Sequence, residues 1–118
     1  MLKIMVVDDA QFMRVRLTKL LTGHGYDVVE AENGAQAVES YRANTPDAVL
    51  MDITMPEKDG LTALAEIRSF DANARVIMLT ALGQESMVIQ AVQAGARDYV
   101  VKPFDPDRVM GALQKVLS

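Results

Sequence analysis

There is no cysteine in this chain and no tryptophan, and histidine occurs once. Without cysteine there is no disulfide framework, no thiolate nucleophile and no thiolate metal site. Aromatic residues make up only 5% of the sequence, so aliphatic side chains and eight methionines have to fill the core. No apolar run approaches the ~18 residues of a membrane-spanning helix. Met1-Leu2-Lys3-Ile4 enters a strand pattern at once, so a secretory leader is not expected. A soluble, cytoplasmic protein with no membrane partner is expected. Basic charge is also in short supply: 12 Lys and Arg face 16 Asp and Glu, a net charge of −4. That balance speaks against direct nucleic-acid binding, which leaves a basic stripe.

What the chain does have is a regular alternation. Half of its 118 residues are hydrophobic, enough for a single packed domain over 1–118, with no room for a second. Short runs rich in Val and Ile read as buried parallel strands, and they fall at 3–7, 27–31, 48–52, 74–80 and 97–101. Between them apolar residues recur at helical spacing. A first helix, from about Ala10 to Leu21, carries Phe12, Met13, Leu17, Leu20 and Leu21. Gly23-His24-Gly25 ends it, and His24 reads as a capping or solvated residue. A second follows Asn33-Gly34, with Ala37, Val38 and Tyr41 on one face. A third opens at Gly60, with Leu61, Leu64, Ala65 and Ile67. A fourth covers 86–94, where Met87, Val88, Ala91 and Val92 form one core face and Ile89 falls off it. The last runs from Pro106 to Leu117. Alternation of this kind implies βαβ units, an α/β fold with a parallel sheet and helices on both faces.

Polar residues punctuate the carboxyl ends of four strands. Ile4-Met5-Val6-Val7 runs into Asp8-Asp9, Ala48-Val49-Leu50-Met51 into Asp52, Val76-Ile77-Met78-Leu79 into Thr80, and Tyr99-Val100-Val101 into Lys102-Pro103. In an open α/β sheet the ligand crevice lies outside these ends. One edge therefore gathers three carboxylates, a hydroxyl and an ammonium. Three carboxylates a few ångströms apart repel by roughly several kcal/mol in a partly buried site. A hard divalent cation with oxygen ligands offsets this, and Mg²⁺ suits a site of few carboxylates and several waters. Lys102 can pair with the acids or with a phosphoryl oxygen, and Thr80 can donate a hydrogen bond to the same group. Such a cradle serves phosphoryl transfer, with an aspartate as the nucleophile. Each acid alone has a plainer reading: a solvated strand end or, for Asp9, the N-cap of the first helix.

Taken together, these residues resemble the response-regulator receiver domain, over essentially the whole chain. The resemblance rests on Val6-Val7-Asp8-Asp9, on Met51-Asp52-Ile53-Thr54-Met55-Pro56 with Asp59-Gly60, on Leu79-Thr80-Ala81, on Gly95-Ala96-Arg97-Asp98-Tyr99 and on Val101-Lys102-Pro103-Phe104. It implies a flavodoxin-like, doubly wound sheet of five parallel strands in the order 2-1-3-4-5, flanked by five helices. That order belongs to the family and does not come from the periodicity. It also implies that Asp52 accepts a phosphoryl group from a histidine kinase. Mg²⁺ would be bound by Asp9, Asp52 and the main-chain carbonyl of Thr54, with Asp8 acting through a metal-bound water. Lys102 would contact phosphoryl oxygens, Thr80 and Tyr99 would form the switch, and the Lys102–Pro103 bond would be cis. The surface of the fourth helix, fifth strand and fifth helix would then change for a partner.

Segments 9–14, 52–57 and 81–88 look like the stand-alone chemotaxis type. That type implies a monomer acting on the flagellar switch, with a phosphatase as a further partner. A receiver of this type is expected to carry no output domain and to pass its signal through its own surface. The alternatives are a phosphorelay intermediate or stand-alone adaptor, and a receiver cut from a longer regulator. The resemblance implies that Leu82 and Thr54 flank the path of the attacking water, and an apolar Leu82 is expected to shield the phosphoryl group. Glu57 is solvated or a second-sphere water ligand. A haloacid-type phosphatase would want an acid where Thr54 stands and a cap domain. A flavin carrier would want a phosphate-binding loop where Asp8-Asp9 stands.

Overall fold

The structure, a computed structural model, describes residues 1–118. Ten elements alternate: β1 Lys3–Val7, α1 Gln11–Gly23, β2 Asp27–Ala31, α2 Gly34–Asn44, β3 Ala48–Asp52, α3 Gly60–Phe70, β4 Val76–Thr80, α4 Glu85–Gln93, β5 Asp98–Val101 and α5 Pro106–Leu117. The strands form one parallel sheet in the order β2-β1-β3-β4-β5. This is the flavodoxin-like arrangement, with β1, β3 and β4 in the interior of the sheet.

The strands show no polar alternation because both faces are covered. Their side chains alternate instead between two cores. Met5, Val7, Val49, Met51, Val76 and Met78 pack under α2 and α3, against Ala37, Tyr41, Leu64 and Ile67. Ile4, Val6, Leu50, Ile77 and Leu79 pack under α1 and α5, against Leu17, Leu21, Val109 and Leu113. No helix is long and apolar enough to cross a membrane.

Several helix faces differ from the sequence expectation. The buried face of α1 is Met13, Leu17 and Leu21, a strict four-residue stripe, and Phe12 lies outside it at 63% exposure. In α3 the buried alanine is Ala63, which shares a stripe with Ile67, while Ala65 faces outward. The largest departure is α4. Only Ala91 of the expected core face is buried; Val88 is partly covered, and Met87 and Val92 are exposed. The reason is the place of α4 near the β4–β5 margin of the sheet. There it makes one narrow seam, Val88 with Ala91, three residues apart. The side chains about 100° to either side miss the sheet. Helix α1 continues through Gly23, and the left-handed turn residue is Gly25 at φ 88°.

Two glycines illustrate opposite constraints. Gly60 opens α3 directly behind Asp52, and its N–H donates to the Ile53 carbonyl at 2.7 Å. A Cβ there would lie well inside van der Waals contact distance of the Asp52 carbonyl oxygen. Gly111, within α5, has open space where its Cβ would be. Gly60→Ala is expected to lower stability by at least ~2 kcal/mol through overpacking. Gly111→Ala is expected to raise it by ~0.5–1 kcal/mol, because alanine restricts the unfolded chain and favours the helix. Urea midpoints of the two variants check both signs.

Candidate functional site

The carboxyl edge of the sheet holds four polar strand ends, three of them on interior strands. Asp8 follows β1, Asp52 closes β3 and Thr80 closes β4; Lys102 follows β5. Asp8, Asp52 and Thr80 are the only buried polar or charged residues of the chain, at 1%, 8% and 2% exposure. Each sits there because the sheet carries its strand inward until the last residue. Asp9 stands beside them and is exposed. Oxygens of Asp8, Asp9 and Asp52 all lie within 4.8 Å of one another.

The Lys102 ammonium spans the pair of buried acids, 2.8 Å from Asp8 Oδ2 and 3.2 Å from Asp52 Oδ2. Its own N–H donates to the Thr80 carbonyl at 2.6 Å, which fastens the end of β5 to that of β4. The Lys102–Pro103 peptide bond is cis. Asp8 Oδ1 accepts from the Ala10 N–H at 2.9 Å, and the Asp8 carbonyl accepts from Arg14 at 2.7 Å. Helix α1 is capped by Ala10 without a side-chain bond. The reading of Asp9 as its N-cap is therefore wrong: the helix starts at Gln11, and Asp8 holds the turn instead. The His24 ring sits at the C-cap of α1, with Nδ1 2.9 Å from the Leu20 carbonyl.

Electrostatics follow from this crowding. Burial pushes the Asp52 carboxyl above the ordinary carboxylate range; the charge of Asp8 adds to that, and Lys102 together with the Thr54 N–H only partly reverses it. Burial pulls the Lys102 ammonium down, but its hydrogen bond to Asp8 and the charge of Asp52 outweigh that, and its pKa is raised. A donor set of oxygens only, with more negative than positive charge, fits a hard divalent cation. The ammonium and the buried hydroxyl fit an anionic group brought up to Asp52.

Thr80 and Tyr99 line one groove of about 310 Å³ between α4 and β5, together with Leu82, Val88, Ile89 and Val101. Tyr99 is 41% exposed and Leu82 83% exposed. Glu57 is exposed and holds a left-handed φ of 67°. Sequence reasoning passed over Gln84. Its side chain donates to Thr54 Oγ1 at 2.7 Å and accepts from the Ala81 N–H at 2.6 Å. A glutamine in a helix-opening turn carries no spacing signal that would have marked it.

Comparison with known proteins agrees with this geometry. The family profile described as the response regulator receiver domain matches residues 4–114. The chemotaxis protein CheY of Bacillus subtilis is 59% identical over 117 residues, covering 98% of this chain and 98% of that protein. CheY of Thermotoga maritima is 52% identical over 115 residues, covering 97% and 96%. Among solved structures, the CheX–CheY–BeF₃–Mg²⁺ complex from Borrelia burgdorferi contains a chain that superposes with a TM-score of 0.93. That chain is 38% identical, over 99% of this chain and 90% of its own length. With the profile spanning nearly every element and whole-length relatives above half identity, the chain belongs to the response-regulator receiver family of two-component signalling and is of its CheY-like type.

Proposed function

We propose that this protein is a single-domain, monomeric cytoplasmic regulator that takes a phosphoryl group from a histidine kinase onto Asp52 and passes the signal to the flagellar motor switch. One observation carries the reading: a buried carboxylate with a raised pKa, 3.2 Å from an ammonium and clustered with two further acids. Asp52 closes β3 at the carboxyl edge of the sheet, pairs with Lys102 and is less completely covered than Asp8. In the transfer, the bond between phosphorus and the donor imidazole nitrogen breaks as the bond to Asp52 Oδ forms. The electron pair goes to the imidazole, which takes up a proton. Lys102 neutralises charge on the phosphoryl oxygens, and the Thr80 hydroxyl donates to one of them.

Asp9, Asp52 and the Thr54 carbonyl are the residues that would hold Mg²⁺, with Asp8 acting through water. When bound, the ion supplies positive charge that screens the acids and the incoming phosphoryl oxygens. The mixed charge of the resting site supports this, because Lys102 alone leaves the three acids in excess. The Borrelia relative, solved with magnesium and the phosphoryl mimic beryllofluoride, supports the same chemistry. Its CheX partner supports a further protein that binds the loaded form. Switching is assigned to Thr80 and Tyr99, which share the groove beside α4, and the readout to the surface of α4, β5 and α5. The identity to chemotaxis regulators supports the flagellar target.

Incubation with acetyl phosphate and Mg²⁺ is expected to add one base-labile phosphoryl group, mapped to Asp52 by mass spectrometry, and Asp52→Asn is expected to abolish it. Label on another residue would overturn the assignment. Lys102→Ala is expected to retain part of the uptake while the modified protein loses its gain in affinity for the switch partner, read by pulldown of bare and beryllofluoride-loaded forms.

A pH effect follows from the raised pKa of Asp52. The folded chain holds that proton more tightly than the unfolded chain. Its stabilising contribution is therefore present below the ordinary carboxylate pKa and lost as pH rises through the raised folded value. Above that titration the ionised group is a net cost. Without metal, Asp52→Asn is expected to raise the melting temperature measured there. That advantage shrinks as the solution is acidified through the Asp52 titration.

A further inference from the structure

The two loops that flank Asp52 are joined by one side chain. Gln84 is the N-cap residue of α4, yet its side chain makes no capping bond to that helix. It turns back instead. Its Oε1 accepts from the Ala81 N–H at 2.6 Å, and its Nε2 donates to Thr54 Oγ1 at 2.7 Å. Gly83, at φ 89°, makes the intervening turn. Ala81 belongs to the loop after β4, and Thr54 to the loop after β3.

The direction of the Ala81 N–H follows from its neighbours. The C=O and N–H of a trans peptide point opposite ways. The Thr80 carbonyl faces β5, where it accepts from the Lys102 N–H. The N–H of the same peptide unit, that of Ala81, is therefore sent toward β3, the strand that ends in Asp52. The Leu79 carbonyl, one peptide back and also facing β3, accepts from the Ile53 N–H at 3.1 Å, which sets the level at which the two strands run out. Beyond that level β3 offers Ala81 no backbone acceptor, and Gln84 supplies one.

We propose that Gln84 is a positioning residue that latches the Asp52 pocket in the unmodified chain, occupying the Ala81 N–H and tethering Thr54, and that it yields this N–H to the anion carried by Asp52. The inference rests on Asp52 being the phosphoacceptor. It gives the loop before α4 a direct stake in the chemistry. Modification trades the Gln84 bond for one to the phosphoryl oxygen, and this frees the first turn of α4, whose apolar cover against the core is the Val88–Ala91 seam. It also places a donor-competing side chain between the pocket and the groove that holds Tyr99.

The test uses the full chain, beryllofluoride with Mg²⁺, and the variant Gln84→Ala. Removing the competing acceptor is expected to tighten beryllofluoride binding about 2- to 10-fold, the range of one ordinary hydrogen bond. In the wild type, the Gln84 side-chain amide signals in the NMR spectrum are expected to move to free-glutamine positions on loading. The Ala81 amide signal is expected to differ between wild type and variant when bare and to coincide when loaded. Unchanged or weaker beryllofluoride binding by Gln84→Ala, or Gln84 amide signals that loading does not move, would overturn the latch alone. A wild type that binds no beryllofluoride would overturn the phosphoacceptor reading and the latch with it.

Discussion

Like charge forced together at one sheet edge is the constraint on which this molecule turns. Asp8 and Asp52 are buried because β1 and β3 are neighbouring interior strands that end at the same level. Neither acid can retreat without breaking the sheet register. Lys102 is the cation that pairs with both carboxylates. Its position depends on the edge strand β5 being fastened to β4 through the Thr80 carbonyl. The resting pocket is thus held in a costly arrangement by everything beneath it, and any added positive charge there is favourable. A cluster of this kind stores the capacity to bind metal and phosphorus in the fold itself.

The two cores make that possible. Because strand side chains alternate between a face under α2 and α3 and a face under α1 and α5, the interior strands are gripped from both sides. Rigid strand ends and mobile connecting turns are the usual division of labour in α/β folds. Here the loop after β3 is tied down at Gly60 and at Lys58, whose carbonyl accepts from the Gly34 N–H. The loop after β4 is held by lighter contacts, among them the Gln84 side chain. The lighter side also borders the exposed apolar groove of Tyr99, Ile89 and Leu82, so a change at Asp52 has a short path to a surface that another protein can read.

Much of this was legible in the residues, for physical reasons. Strands β1, β2 and β3 and helix α5 could be bounded because apolar runs with Asp, Gly or Pro at their ends leave little freedom of assignment. The order of the strands was not in the periodicity; it came with the family resemblance. Helix α4 misled because an apolar stripe looks the same whether it faces a core or a partner, and at the sheet margin only Val88 and Ala91 find cover. Asp9 misled as a cap because the local N-cap pattern cannot tell which of two adjacent aspartates points inward. Gln84 was invisible, since its importance lies in two contacts made by a bent-back side chain across loops 30 residues apart.

Thermal unfolding of the unmodified chain across a magnesium series tests the central claim most directly. A cation bound only by the folded pocket stabilises it by a term that grows with the logarithm of concentration. The melting temperature should therefore climb steadily with Mg²⁺, and the climb should vanish when Asp9 and Asp52 are both replaced by Asn. A melting temperature that stays flat in the intact protein would contradict the view that an unbalanced acidic pocket governs this molecule.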